Sequence, residues 1–255
     1  MKFSANLGFL WSNLPLTNAI HAAKKAGFDA VECHWPYDVP SKDVAKALVE
    51  TDLKMIGLNT RRGNVKSGEN GLTALVGREA EARLAIDEAI RYANDIKALN
   101  IHVMAGLATG IKAQETFISN LHYACEIAER YDINILIEPL NTNDAPGYFL
   151  TSTRHAIDII KTVNCKNLKL MFDCYHMQLM EGNLSNLLKD LLSYIGHIQF
   201  ASVPYRGTPD HGEVDFTNLF LEIKELGWTQ PLGAEYKPTG DTEETLNWLS
   251  QAKRL

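Results

Sequence analysis

Four short apolar segments of the chain carry oxygen-bearing side chains at or near their C-terminal ends. These side chains are Glu138, Asp173, Gln199 and Glu235. Each segment is bounded by polar residues, a pattern typical of strands buried on both faces. Three carboxylates brought together raise each other's pKa unless a cation lies between them, and hard oxygen ligands suit Mg²⁺ or Mn²⁺. If the four segments meet, the pattern therefore predicts a divalent metal site, with Mg²⁺ expected first and Mn²⁺ as the alternative.

Each of these acids also has a plainer interpretation. A single strand-end carboxylate is more often solvated or held in an internal salt bridge, so the prediction depends on all four residues following consecutive strands. Glu32, at the second predicted strand, is either a fifth carboxylate of the site or a structural partner in the barrel wall. His102, within the fourth predicted strand, is expected to be a core or barrel-lining histidine whose ring nitrogens are hydrogen-bonded.

Three further residues are candidates for substrate binding. His176 follows Asp173 by three positions and is expected in a loop just beyond the strand end. Arg206 and Lys237 lie in or next to predicted loops of the same rim and would bind an anionic substrate. The alternative for each of the three is ordinary solvated surface.

The elements that must position these residues alternate along the whole chain. Eight apolar strand-like runs alternate with eight amphipathic helical patterns, and no linker divides them. This favours a single α/β domain over residues 1–255, a parallel (β/α)₈ TIM barrel, in which the C-terminal strand ends form one rim. An open doubly wound sheet would also alternate, but no GxGxxG or GxxxxGK[ST] phosphate loop is present.

The composition of the chain limits the kinds of molecule that it is expected to bind. The net charge of −6 disfavours nucleic acid, because binding to the phosphate backbone relies on clustered Lys and Arg. No apolar run approaches the roughly 20 residues of a membrane helix, so no membrane partner is expected and the cytoplasm is the expected compartment. The four cysteines form no CxxC pair, so buried thiols are expected rather than a disulfide framework or a structural zinc site. The oligomeric state stays open.

Residues 60–77 interrupt the alternation. The segment is rich in Gly, Asn and charged residues and has no sustained periodicity. Loops this long inside a compact domain are usually functional or disordered. We expect an active-site lid here, with a surface insertion as the alternative.

Eight sequence blocks are distinctive in combination: Phe3–Leu7, Pro36–Tyr37, Ile137–Asn141, Asp144–Leu150, Asp173–Gln178, Gly196–Gln199, Gly212–Asp215 and Glu235–Pro238. Together they resemble the hydroxypyruvate isomerase family, within the xylose-isomerase-like barrel superfamily. The likeness runs from the first strand to the last helix.

The resemblance implies a metal-dependent isomerase that interconverts hydroxypyruvate and tartronate semialdehyde by proton transfer through an enediolate. It implies metal ligands at Glu138, Asp173, Gln199 and Glu235, and it implies that the two glutamates also transfer the proton. Ser202 stands where relatives often have an aspartate, so an isomerase of a longer 2-oxo sugar acid, of the 2-oxo-tetronate type, is an alternative. Two rivals come from different classes of protein: an AP-endonuclease-like phosphodiesterase, which would bring more histidines to the rim, and a non-catalytic protein that binds sugar acids.

Overall fold

The short apolar runs form one parallel sheet in the computed structural model, which describes residues 1–255. A parallel sheet is covered on both faces, which explains why its strands are rich in Val, Ile and Leu. The strand segments are β1 (Phe3–Asn6), β2 (Ala30–Glu32), β3 (Lys54–Met55), β4 (Gly57–Asn59), β5 (Asn100–His102), β6 (Asn134–Ile137), β7 (Leu168–Asp173), β8 (Ile195–Phe200) and β9 (Leu232–Ala234).

The sheet closes into a barrel through a strand that is broken in two. The order is β3-β2-β1-β9-β8-β7-β6-β5-β4, and only Ile56 separates β3 from β4 in the chain. Ile56 N–H donates to the carbonyl of Val31 at 2.7 Å, and Cys33 N–H donates to the carbonyl of Gly57 at 3.1 Å, so hydrogen bonds continue past the break. The predicted (β/α)₈ barrel is confirmed. The count is nine segments rather than eight because the third strand is interrupted.

Helices cover the outside of the barrel. They are α1 (Leu16–Lys25), α2 (Ser41–Thr51), α3 (Glu79–Ile96), α4 (Ile111–Glu129), α5 (Thr153–Val163), α6 (Cys174–Met180), α7 (Leu184–Leu191), α8 (Phe216–Glu225) and α9 (Asn247–Ala252). Eight of them correspond to predicted helices, and α6 is additional. None of the helices is both long enough and apolar enough to span a bilayer.

Where the first and last strands meet, the apolar layer between barrel and helices is aromatic. Phe3 of β1 packs edge-to-face against Phe200, Phe220 and Trp248, with ring centroids 6.0, 5.3 and 5.3 Å away. We call these four residues the aromatic cluster. Pairs with this geometry contribute about 0.5–1.5 kcal/mol beyond their buried area, so the cluster stabilises the closure of the barrel.

The loop 60–77 is anchored over part of its length. Residues Gly71–Ala74 are buried, and the N–H groups of Thr73 and Ala74 donate to the carbonyls of Met104 and Ala105 at 3.3 and 2.8 Å. Residues 65–68 project as an exposed turn. The expected lid is therefore tied to the rim after β5 at its C-terminal half, and its movement stays a prediction.

Candidate active site

The predicted acids do lie at the strand ends. Glu138 directly follows β6, Asp173 ends β7 and Glu235 directly follows β9. Their exposed fractions are 6%, 1% and 7%, so the rim holds three buried carboxyl groups. Such groups are stable in the interior only when hydrogen bonds or opposite charges compensate for the lost water.

Arg206 supplies that compensation from the loop after β8. Its Nη2 donates to Asp173 Oδ2 at 2.9 Å and to Glu235 Oε2 at 2.7 Å. The guanidinium also lies near the rings of Tyr175 and Phe9, 4.8 and 5.1 Å from their centroids. Burial alone lowers the pKa of Arg206, but the nearby carboxylates more than offset this and raise it. Arg206 is therefore a fully charged, buried cation at the middle of the site.

His176 reaches the site because Asp173 begins a helix. Asp173 Oδ1 accepts the N–H of Tyr175 at 2.9 Å, which caps the N-terminus of α6. His176 is thus a buried helical residue, whereas the sequence indicated a loop. Its Nε2 lies 3.1 Å from Arg206 Nη1 and 3.8 Å from Glu138 Oε1. Burial, followed by the charge of Arg206, lowers the pKa of His176 to about 3, so the ring is neutral.

Glu235 is held by the first two strand ends. Its Oε1 accepts from Asn6 Nδ2 at 3.0 Å and from His34 Nε2 at 2.9 Å. Burial is the largest influence on the pKa of Glu235 and raises it. The charge of Arg206 and the hydrogen bond from His34 outweigh burial and lower the pKa to about 2.

Glu138 lies in a less compensated environment. His102 Nδ1 is 3.4 Å from Glu138 Oε2, without hydrogen-bond geometry. His102 is buried, as expected, but neither of its ring nitrogens has a hydrogen-bond partner, so the expectation of a hydrogen-bonded histidine is wrong. Burial, then the charges of Glu235 and Asp173, raise the pKa of Glu138 well above its usual value. Burial likewise raises the pKa of Asp173 to about 7, against the effect of Arg206. The carboxyl groups of the rim thus differ strongly in proton affinity.

Gln199 and Lys237 are placed differently from the three acids. Gln199 is the cross-strand partner of Asp173, but its side chain donates from Nε2 to Glu32 Oε1 at 3.2 Å. Lys237 is exposed and lines a cavity of about 690 Å³ together with Phe9. This cavity adjoins the site, because Phe9 also contacts Arg206 and the backbone N–H of Lys237 donates to the Arg206 carbonyl at 2.7 Å.

The donor set suits a hard divalent cation. Ligand atoms of Glu138, Asp173 and His176 all lie within 4.8 Å of one another, and three buried acids face one guanidinium. Gln199 Oε1, on the strand next to Asp173, is also buried without a hydrogen-bond partner. This compact triad includes His176 rather than Gln199 or Glu235. The oxygens of Glu235 are engaged by Arg206, His34 and Asn6. The predicted set of four ligands stays a prediction.

Sequence reasoning missed Asn6 and His34. Both come at or just after strand ends, β1 and β2, and both donate to Glu235. The predicted positions were oxygen-bearing side chains at strand ends. This pattern includes the amide of Asn6 but not the imidazole of His34, so only Asn6 had such a signal in the sequence.

Comparison with known proteins gives concordant matches. The model of the family described as "Xylose isomerase-like TIM barrel" matches residues 20–252. Hydroxypyruvate isomerase of Escherichia coli (strain K12) is 37% identical, covering 98% of both chains, and 2-oxo-tetronate isomerase of Haemophilus influenzae is 36% identical, covering 99% of both. A crystal structure described as AP endonuclease, family 2, from Brucella melitensis superposes with a TM-score of 0.95 at 36% identity, covering 98% of both chains.

Proposed function

Because the chain belongs to the xylose isomerase-like TIM barrel family, we propose that it is a metal-dependent isomerase that interconverts hydroxypyruvate and tartronate semialdehyde. The observation that carries this proposal is the meeting of two buried glutamates, Glu138 and Glu235, from non-adjacent strands beside Asp173 and Arg206. Moving a carbonyl to the neighbouring carbon requires a base, an acid and compensation for developing negative charge.

The reaction is balanced within one substrate molecule. Carbon C3 of hydroxypyruvate loses a hydrogen and carbon C2 gains one, while the hydroxyl proton moves from O3 to O2. In the proposal Glu138 and Glu235 take and return the carbon-bound proton, and their carboxyl groups titrate as a coupled pair. A divalent cation held by Glu138, Asp173, Gln199 and Glu235 would supply positive charge opposite the enediolate oxygens.

The remaining residues of the site would bind and orient the substrate. Arg206 presents a buried guanidinium that suits the substrate carboxylate, and neutral His176 can hydrogen-bond a hydroxyl or carbonyl oxygen. Burial of the site excludes water, which protects a reactive enediolate from side reactions. Lys237 stands at the outer end of the site, next to the 690 Å³ cavity.

The cavity favours a second candidate substrate. A three-carbon acid needs only the inner site, whereas a four-carbon 2-oxo acid would extend toward Lys237, Ser12 and Asn13. The similarity to 2-oxo-tetronate isomerase of Haemophilus influenzae also supports this longer substrate.

A phosphodiesterase acting on abasic DNA is the rival from another class. The similarity to the Brucella structure supports it, but the net charge of −6 opposes binding to a phosphate backbone. Such an enzyme is expected to bring several histidines to the rim. Histidine content does not separate the two activities, since His34, His102 and His176 all lie near the carboxylates.

A substrate panel tests the proposal. The protein is loaded with Mg²⁺ or with Mn²⁺ and given hydroxypyruvate, a four-carbon 2-oxo-tetronate or an abasic-site duplex, and products are followed by NMR and by gel. We expect aldehyde formation from a 2-oxo acid and no strand cleavage. Strand cleavage without isomerisation would replace the proposal by its rival, and the ratio of the two kcat/KM values for the acids identifies the preferred length.

A further inference from the structure

A second buried polar cluster lies beside the rim, between strands β2, β8 and β9. Glu32 has an exposed fraction of 3%, and its Oε2 is 2.5 Å from His197 Nε2. Its other oxygen, Oε1, accepts from Gln199 Nε2 at 3.2 Å. Glu32 is therefore satisfied by two donors and contacts neither Glu138 nor Asp173 by hydrogen bond or ion pair.

Gly233 of β9 has no side chain, and this leaves the space that the polar cluster occupies. A Cβ at Gly233 of β9 would lie 2.6 Å from Glu32 Oε1, 2.8 Å from Gln199 Cγ and 2.8 Å from His197 Nε2. All three contacts are closer than real Cβ atoms allow. Any larger residue at this position would push the three side chains apart, so the close approach of Glu32 to Gln199 depends on Gly233.

The hydrogen-bonding groups of Glu32 and Gln199 determine the orientation of the Gln199 side-chain amide. An ionised carboxylate only accepts hydrogen bonds, whereas the Gln199 side chain carries one donor end and one acceptor end. Since Nε2 is turned to Glu32, Oε1 must be the free end, and Oε1 is indeed buried without a partner. A buried oxygen without a hydrogen-bond partner destabilises the fold unless something binds it.

We propose that Glu32, supported by His197, is a positioning residue that presents Gln199 Oε1 as a cation ligand. The inference rests on the proposed metal-dependent function and identifies a role for Glu32 that lies outside the ligand set. Without the carboxylate of Glu32, the amide of Gln199 can rotate by half a turn. It would then present Nε2, an N–H donor that a cation does not bind. Partners of this kind typically change metal affinity by about 10–100-fold.

The test is a double-mutant cycle in Mn²⁺ affinity, measured by calorimetric titration of the metal-free full-length chain. E32Q is expected to raise the Kd for Mn²⁺ at least about tenfold. Q199A is expected to raise the Kd as well, but adding E32Q to Q199A should change the Kd less than twofold, because Glu32 acts through Gln199. The matched control is E50Q, which alters an exposed glutamate paired with His21 at 3.2 Å.

The outcomes separate this inference from the proposed function. An unchanged Kd in E32Q, or an equal loss in the Q199A background, overturns the positioning role even if the wild type isomerises hydroxypyruvate. A wild type that binds no Mn²⁺ overturns the proposed function and the inference together. If E32Q does not fold, E32D replaces it in the same cycle, since the shorter carboxylate keeps its charge beside His197 but withdraws from Gln199.

Discussion

The rim and the aromatic cluster share strands β1 and β8, but one region holds polar groups of the candidate site and the other is apolar core. On β8, Gln199 faces the barrel interior and its neighbour Phe200 faces the helices. This follows from the alternation of side chains along a strand. One short apolar run therefore supplies both a candidate ligand and a core residue. Function and stability are thus separated here by the face of the strand, not by the region of the sequence.

The energetic balance of the two regions also differs. Phe3, Phe200, Phe220 and Trp248 are at most 3% exposed and stabilise the fold by apolar burial and edge-to-face packing. At the rim, three buried carboxyl groups face one guanidinium, which opposes folding unless a cation adds to the compensation. Substitutions at the rim should therefore lower activity, whereas substitutions in the aromatic cluster should lower stability and leave activity near wild type.

The largest effect is expected for E235Q, which removes one of the two proposed proton-transferring carboxyl groups and keeps the shape of the side chain. With saturating Mn²⁺, kcat for hydroxypyruvate should fall about 10³-fold, since positioned acid–base groups contribute about 10²–10⁴. The free energy of unfolding should also fall, because the substitution removes one of the two carboxylates that the buried guanidinium of Arg206 contacts. Steady-state kinetics with E50Q as the control checks this, and a kcat within tenfold of wild type would remove Glu235 from the proton transfer.

F220A should lower the stability of the fold and leave the activity near wild type. Truncating this buried ring on α8 should lower the free energy of unfolding by about 3–5 kcal/mol. The kcat of the folded protein should stay near wild type, because Phe220 lies on the helix side of the barrel. Urea denaturation measures the loss, with L221A as the partly exposed neighbour for comparison. A loss below about 1 kcal/mol would mean that the aromatic cluster is not a main source of stability.

R206M tests the charge balance of the rim. Without the guanidinium the buried carboxylates are uncompensated, and the metal-free protein should lose about 3 kcal/mol at neutral pH. The folded-state pKa of Glu235 would rise above its unfolded value, and that of Asp173, already raised to about 7, would rise further. The loss should therefore shrink as pH falls and these groups take up protons. Thermal melts of wild type and R206M at several pH values, with and without Mn²⁺, measure this loss of stability. An equal loss at every pH and metal concentration would contradict the electrostatic explanation.

The smallest effect is expected for K237M. Lys237 is exposed, and ion pairs in solvent contribute only about 0.2–1 kcal/mol, so KM should rise no more than about fivefold with kcat unchanged. A four-carbon 2-oxo acid should be affected more than hydroxypyruvate. K166M, at an exposed lysine in the turn before β7, is the matched control. An equal KM change in both variants would exclude a specific role for Lys237.

The local sequence pattern was sufficient to predict the barrel and the strand-end positions of three acidic residues. Strand-ending carboxylates at Glu138, Asp173 and Glu235 are visible in the sequence because an apolar run stops at a charged residue. The break of the third strand at Ile56 has no such signal, since an isoleucine continues the apolar pattern. Helix α6 was missed because Asp173 acts both as a strand end and as a helix N-cap.

Contacts between residues that are distant in the chain could not be predicted from the sequence. Arg206 comes from an irregular loop, and nothing local indicates that its guanidinium meets Asp173 and Glu235. The orientation of Gln199 toward Glu32 depends on a glycine in a neighbouring strand, more than thirty residues away in the chain. Such contacts are set by barrel closure, which brings distant strand ends together.

Hydrogen exchange at carbon C3 of hydroxypyruvate tests the central claim most directly. The Mn²⁺-loaded protein and a chelator-treated sample are incubated with hydroxypyruvate in D₂O, then freed of metal and examined by proton NMR. We predict that the loaded protein replaces C3 hydrogens with deuterium and forms the aldehyde, and that the chelated protein does neither until Mn²⁺ is restored. A loaded, folded protein that leaves the C3 hydrogens intact and forms no aldehyde would contradict the proposed proton transfer.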